Sequence, residues 1–403
     1  MAEKKQLRVC VFGPGKRFLS GISYYTIHLA NALARFNSIS VILMRHLLPT
    51  RLYPGRERVG ANLTQLEYDP EVRVFDGVDW YWLPSILRAL VFLVRVRPDV
   101  VVFQWWSGTV LHSYVLLASV ARLLGARVVI EFHEVLDPGE AKLRLAQFYV
   151  QFLAPLMVRL AHGFVVHSEY TGKQVQQRYK LRQRPIALIH HGPYNQYRTD
   201  HKEHLARIAP AACCNLLFFG LIRPYKGLDD LIRAFDALPE NEVAGYWLTI
   251  VGETWEGWNI PAELIARSRY RDRITFVNRY ISDTEVTQFF AEADAIVLPY
   301  NRASTSGALH IAMSCGLPVV LTNVGGLVEA VADYDGAILV SPNDPIALHG
   351  AMQQVAKLRG KRYNDPHSWE HTATSYQALF DALRTPPGVK SSMSQQNYDI
   401  LVD

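Results

Sequence analysis

Cysteine is scarce in this chain, with four in 403 residues, and Cys10, Cys213, Cys214 and Cys315 lie in apolar runs without metal-type spacing. Adjacent Cys213 and Cys214 make a poor structural clasp, so a disulfide framework is excluded and reduced, cytoplasmic thiols are expected. Long hydrophobic runs are missing too. The stretch nearest to membrane-span composition, Thr109 to Ala121, is about one third short of the roughly 20 residues that a spanning helix needs. Met1 to Leu7 leads into a strand-like run ended by glycines, with no apolar segment before a small-residue cleavage site, so no export is expected. With 20% charged residues, 25 glycines and 21 prolines, the composition excludes coiled-coil, collagen-like and low-complexity architectures. The 49% of apolar residues are enough to bury a substantial core in one large domain or two smaller ones.

The net charge of +5 hides an asymmetry. Residues 1–200 hold 25 Lys and Arg against 14 Asp and Glu, net +11, while residues 201–403 hold 17 against 23, net −6. A basic first half suits an anionic substrate or an anionic membrane surface. Its cations are scattered, without a zinc-finger, RNP or helix-turn-helix pattern, so nucleic acid is not an expected partner.

Short runs rich in Val, Ile and Phe alternate with longer segments of helical period, which is the pattern of parallel strands joined by crossover helices. The first series predicts strands at Leu7–Phe12, Ile39–Met44, Val100–Gln104, Arg127–Phe132, Gly163–His167 and Ile186–His190, with helices over Ile22–Arg35, Trp82–Val96, Val110–Leu124 and Lys142–Ala161. A second series predicts strands at Asn215–Phe219, Tyr246–Val251, Ile274–Val277, Ala295–Leu298, Val319–Thr322 and Ala337–Val340. Its helices are expected at Asp229–Leu238, Pro261–Arg267, Asp283–Glu292, Gly307–Ser314, Gly326–Val331 and Asp344–Leu358. The polar segment Tyr194–Pro210 separates the two series, giving domains over 1–200 and 206–370. A C-terminal helix over 371–385, packing back toward the first domain, and a disordered tail over 386–403 complete the expectation. The fold class is α/β, with two facing Rossmann-like, doubly wound domains and a cleft between them.

Three motifs bear on chemistry. Gly13-Pro14-Gly15 with Gly21 forms a glycine turn between the first strand and first helix, but the third glycine of G-x-G-x-x-G falls at Phe18 and no acidic residue closes the second strand. Gly220-Leu221-Ile222-Arg223-Pro224-Tyr225-Lys226-Gly227 places a bidentate fork and a point charge at a strand's carboxyl end, as a diphosphate requires. Ser304, Thr305, Ser306 and Gly307 open a helix whose free N–H groups and positive dipole end form an anion site. Each has a plain alternative in a conformational glycine, a solvated turn or an ordinary helix cap.

Taken in order, Phe218-Phe219-Gly220 through Lys226-Gly227, Gly307 with Ala312-Met313 and Cys315-Gly316-Leu317-Pro318-Val319, and Asn323-Val324-Gly325-Gly326-Leu327-Val328-Glu329 resemble the retaining glycosyltransferases of family 4. Glu131-Phe132-His133-Glu134, Val166-His167-Ser168-Glu169-Tyr170-Thr171 and Ser368-Trp369-Glu370 extend the similarity over about 8–385. The resemblance implies a GT-B fold and a retaining, metal-independent transfer of a sugar from a nucleotide diphosphate sugar to a hydroxyl acceptor. It assigns catalytic roles to His133, Arg223 and Lys226. It assigns donor contacts to Gly15, Gly21, Glu253, Tyr280, Ile281, Ser304, Thr305, Ser306, Gly307 and Glu329, with no metal and no cofactor beyond the donor itself. His190-His191-Gly192 stands where the family has Asn-Gly and is read as structural.

Two features depart from the family pattern. The usual glutamate pair is replaced by Ala303 and Ile311, so its contacts must come from elsewhere, with Ser304, Ser306, His310 and Glu329 as candidates. The arginine that commonly lies five residues before the lysine is replaced by Leu221, and Arg223 is expected to substitute. A non-catalytic sugar-nucleotide-binding homologue and a dinucleotide-dependent oxidoreductase remain the alternatives. The acceptor is open: a lipid-linked hydroxyl, a glycan or a natural-product precursor. The aromatic Trp80-Tyr81-Trp82 and Trp105-Trp106, with apolar and basic residues mixed over Trp82–Arg97 and Lys142–Arg159, suit peripheral contact with an anionic membrane at its inner face.

Overall fold

The alternating runs fold into two doubly wound sheets in the computed structural model, which describes residues 6–18, 21–46, 64–135, 144–198, 208–255, 257–384 and 399–400. Contacts divide the chain into a first unit of Met1–Asn62, Leu66–Gly192 and Ser368–Asp403, and a second of Leu63–Gln65 and Pro193–His367.

The first unit runs β1 (Arg8–Pro14), α1 (Gly21–Ala34), β2 (Ser38–His46), β3 (Arg73–Asp79), α2 (Leu83–Val96), β4 (Val100–Trp105), α3 (Leu111–Leu123), β5 (Arg127–Phe132), α4 (Arg144–Leu160), β6 (Gly163–Val166), α5 (Glu169–Arg178) and β7 (Ile186–Leu188). These strands are parallel in the order β7-β6-β5-β4-β1-β2-β3. Helices cover both faces, so β4 is buried at every position and its sequence Val-Val-Val-Phe-Gln-Trp is a nearly unbroken apolar run. The sequence pattern missed β3 and α5 for one reason. β3 is an edge strand with only Val78 and Asp79 buried, and α5 buries only Thr171, Gly172 and Val175, so neither carries an apolar period. What starts α5 is the Ser168 cap, whose hydroxyl accepts from Thr171 N.

The second unit runs β8 (Cys214–Phe219), α6 (Leu228–Asp236), α7 (Glu240–Val243), β9 (Tyr246–Val251), α8 (Ile260–Arg267), β10 (Ile274–Val277), α9 (Asp283–Glu292), β11 (Ala295–Leu298), α10 (Gly307–Ser314), β12 (Val319–Thr322), α11 (Leu327–Ala330), β13 (Ala337–Val340) and α12 (Pro345–Ala356). Its strands are parallel in the order β10-β9-β8-β11-β12-β13. Strand order therefore reverses between β8 and β11, as it does between β1 and β4 in the first unit, and such switch points open a crevice at the carboxyl ends of the strands. This unit already begins at Pro193, because two aromatic anchors in the polar connecting segment fold into it. Tyr194 N donates to Ser314 Oγ at 2.8 Å and Tyr197 Oη donates to Asp283 Oδ1 at 2.8 Å.

The chain then returns to the first unit through α13 (Trp369–Arg384), whose fully buried Ala373, Tyr376, Leu379 and Phe380 join Tyr25, Leu29 and Leu33 of α1 in one core cluster. Thr372 Oγ1 donates to His190 O at 3.1 Å, and a Cβ at Gly192 would stand 2.4 Å from the Trp369 ring. Of 386–403, only Asp399 and Ile400 are described. They form β14 (Asp399–Ile400), antiparallel to β7, and the rest of that tail lies outside the described residues. Among the described residues no helix is long and apolar enough to cross a membrane.

Since α13 supplies one wall of this cluster, Phe380→Ala should destabilise the protein by about 3–5 kcal/mol. Denaturant melts read this directly, and a loss below about 1 kcal/mol would show that α13 is peripheral to the core.

Candidate functional site

At the second unit's switch point the backbone is drawn in by three glycines. Gly220 follows β8 at φ +121° and its N donates to Val251 O at 3.0 Å, while a Cβ at Gly252 would stand 1.9 Å from Gly220 O. Ile222 N donates to Glu253 O at 2.8 Å, tying the loops after β8 and β9 together. A short 3₁₀ turn, Pro224–Lys226, ends at Gly227 with φ +61°, and a Cβ there would lie 2.0 Å from Pro299 O. Asn301 N donates to Tyr225 O at 2.8 Å, which fastens this turn to the loop after β11.

The geometry sets cations on aromatic faces. Lys226 Nζ stands 5.2 Å from the centre of the Tyr300 ring, in space that Gly220 leaves open: a Cβ there would be 2.9 Å away. Arg223 lies 5.6 Å from the Tyr225 ring and 5.9 Å from Trp255, and Arg302 covers Tyr225 at 5.2 Å. Burial holds the Lys226 ammonium below the usual lysine pKa, with the nearby Arg223 adding to the effect. Among the described residues no carboxylate pairs with Lys226. A half-buried cation without an anionic partner is costly until an anion arrives. Trp255 and Arg302 were not singled out in the sequence. The signal available was an aromatic two residues beyond Glu253 and a basic residue beside Tyr300-Asn301.

The remaining donor-side candidates fall around this corner in different ways. Ser306 caps α10: its hydroxyl accepts from Leu309 N at 3.3 Å and lies 3.4 Å from the Tyr300 hydroxyl. Capping uses one lone pair of this oxygen and leaves its O–H and second lone pair. Ser304 and Thr305 are half-buried in the loop, and Gly307 opens the helix with its first-turn N–H groups. Gly326 N donates to Ala303 O at 3.2 Å, bringing α11 and its half-buried Glu329 beside that loop. The Glu253 carboxylate accepts from Trp255 Nε1 at 2.7 Å, which steadies the aromatic platform. Tyr280 and Ile281 follow β10, two strands from the switch point, and Ile281 is buried. His310 is buried with its ring 5.9 Å from His367, and Ile311 is buried too.

In the first unit, Gly15 N donates to Met44 O at 2.7 Å, and a Cβ on Gly15 would lie 3.0 Å from that oxygen and 3.1 Å from Asp76 Oδ1. The amide is therefore committed to β2, and the glycine is required by close backbone approach there. Gly21 is the first residue of α1. A Cβ at Gly13 would stand 2.2 Å from Gln104 Oε1, so that glycine serves packing across the β1–β4 switch point. His133 is 3% exposed; its N donates to Trp105 O at 3.0 Å and its Nε2 lies 3.6 Å from Glu131 Oε1. Burial holds the His133 ring below the usual imidazole pKa, against the pull of Glu131. Burial opposes ionisation of Glu131, yet His133 and His167 hold its carboxyl well below the usual range. His191 packs on Tyr25 with ring centres 4.5 Å apart, and its Nδ1 lies 2.6 Å from Gly192 O.

Two Rossmann-like units, with cations and a helix N-terminus gathered at the second unit's switch point, define the class of GT-B glycosyltransferases. Residues 19–193 match the family model "Glycosyltransferase Family 4" and residues 213–357 match "Glycosyl transferases group 1". The chain belongs to this family of glycosyltransferases. It is similar to a glycogen synthase of Mycobacterium tuberculosis, 24% identical over 391 residues that cover 91% of this chain and 92% of the relative. A D-inositol 3-phosphate glycosyltransferase of Actinosynnema mirum is 29% identical over 409 residues, covering 92% and 94%. Among solved structures, a sucrose-phosphate synthase from Thermosynechococcus elongatus superposes with a TM-score of 0.64 at 18% identity, over 94% of this chain and 96% of that one. Anabaena HepE in complex with UDP-glucose also gives 0.64 at 18% identity, over 94% and 99%. These likenesses carry the fold.

Because Gly227 combines a positive φ with a backbone oxygen in its Cβ position, Gly227→Ala should lower stability by more than about 1 kcal/mol. Thermal melts would check it, and an unchanged melting temperature would mean that the two loops are not in this contact.

Proposed function

We propose that the protein transfers a sugar, with retention of anomeric configuration, from a nucleoside diphosphate sugar to a hydroxyl acceptor. The observation that carries this reading is Lys226, which is half-buried over Tyr300 without a carboxylate partner, beside Arg223 and the first turn of α10. The solved complex of HepE with UDP-glucose supports the donor class. In the proposed reaction the bond from the anomeric carbon to the diphosphate oxygen breaks, and the charge left on that oxygen is taken up by Lys226, Arg223 and the α10 amides. The acceptor oxygen bonds to the same face of the carbon, and its proton passes to the released phosphate oxygen. Fixed cations do this electrostatic work, with no metal on the diphosphate. A role for His133 beside the reacting sugar rests on the family resemblance.

Screening UDP, GDP and ADP sugars by thermal shift should find one base that raises the melting temperature. Lys226→Ala should then weaken that donor by about 2–5 kcal/mol in calorimetry. Unchanged affinity would remove Lys226 from the site. Product NMR should show the donor's anomeric configuration preserved, and an inverted product would refute retention.

The first unit also supports peripheral contact with an anionic membrane, where a lipid-linked acceptor would be reached. Trp82, Leu83, Leu87, Val91 and Val94 leave an exposed apolar stripe along α2, with Arg88, Arg95 and Arg97 exposed around it. On α4, Phe148 is 71% exposed and Phe152 67%. The protein should pellet with anionic liposomes at low salt, and Leu87→Glu with Val91→Glu should abolish most of this. Failure of the unaltered protein to pellet would remove the membrane contact.

A further inference from the structure

Glu131, His133 and His167 turn toward one another at the carboxyl ends of β5 and β6, and all three are buried, Glu131 completely. Tyr25 covers them, its ring centre 4.8 Å from that of His133 and 5.4 Å from that of His167. Glu131 Oε1 lies 3.3 Å from His167 Nε2 and 3.6 Å from His133 Nε2, and one donor atom from each residue lies within 4.8 Å of the others. Neither contact has hydrogen-bond geometry, so both carboxylate oxygens and both Nε2 atoms are buried without a hydrogen-bond partner. The buried Tyr376 hydroxyl approaches the same carboxylate, also without that geometry. Among the described residues no lysine or arginine pairs with Glu131.

Elsewhere on His167, Nδ1 lies 2.9 Å from Ile189 O. Only a protonated Nδ1 can donate to that carbonyl, so in the neutral ring Nε2 carries a lone pair, not a proton, beside the carboxylate. Two lone-pair-bearing atoms then lie 3.3 Å apart without pointing at one another, and a cation bound by both converts repulsion into coordination. An imidazole whose far nitrogen is fixed by a backbone carbonyl is the arrangement that orients metal-ligating histidines. Imidazole and carboxylate ligands bind Zn²⁺ at about 2.0–2.2 Å, and tetrahedral ligands at that distance stand about 3.3–3.5 Å apart, close to the two separations from Glu131 Oε1.

We propose that Glu131, His133 and His167 form a binding site for one divalent transition-metal ion of the zinc class, inside the first unit. The ion neutralises the buried carboxylate and ties the end of β5 to the end of β6. This departs from the expectation that the chain holds no metal. It shares His133 with the donor chemistry above, which places no metal on the diphosphate. Coordination through His133 Nε2 leaves Nδ1 of that ring for other contacts.

The test uses tag-free, full-length protein purified without chelators. Elemental analysis should find about one zinc per chain. Stripping with a chelator should lower the melting temperature, and zinc should restore it. Refilling with Co²⁺ should give the visible absorption of a low-coordinate cobalt site. His167→Ala should lose both the bound zinc and the cobalt band. If that variant does not fold, the cobalt spectrum of the unaltered protein decides. Absence of zinc with no response to chelator, zinc or cobalt would overturn the proposal and assign the neutralising charge to imidazole protons. A folded His167→Ala that keeps its zinc would overturn it as well. Donor binding measured on the stripped protein reports separately on the diphosphate site.

Discussion

The candidate donor corner depends on how closely three backbone segments approach at one switch point. Gly227 brings its Cα under Pro299 O, and Gly252 sits against Gly220 O, at distances that no side chain at either position would tolerate. These approaches lock the loops after β8, β9 and β11 into one rigid rim. Lys226, Arg223 and the start of α10 are consequently held in place before any ligand binds, and a preorganised charge is what stabilises a leaving group. The glycines act here through the space they leave, and Gly220 and Gly227 also through their positive φ.

By the family resemblance, Ala303 and Ile311 stand where glutamates are expected, and Ile311 is buried. The polar groups brought to the same loop are Ser304, Thr305 and, through Gly326 N to Ala303 O, the helix that carries Glu329. Aromatic faces supply a further part of the rim, with Tyr300 beneath Lys226 and Trp255 beside Arg223. Lys226, resting on its ring, is positioned without a carboxylate that would compete for it.

Most of the fold could be read from the sequence because parallel strands covered on both faces appear as short apolar runs. Tyr246–Val251, Ile274–Val277, Ala295–Leu298 and Val319–Thr322 are strands at the residues where that pattern placed them. The polar elements β3 and α5 escaped because burial touches so little of either. Lys226 and Arg223 were legible from a basic turn between glycines after a strand. The set of Glu131, His133 and His167 was not. Glu131 lies inside an apolar strand and His167 on another strand's end, and only the parallel pairing of β5 with β6 places them together. Ser306 illustrates a local ambiguity: the same hydroxyl residue suits an anion site or a helix cap, and its hydrogen bond to Leu309 N shows that it caps α10.

The most direct measurement is a crystal structure of the protein with its nucleoside diphosphate sugar. The diphosphate should lie against Lys226 and Arg223 with its oxygens at the first turn of α10. A diphosphate bound instead at the glycine turn of the first unit, with Lys226 untouched, would contradict the assignment of the donor site.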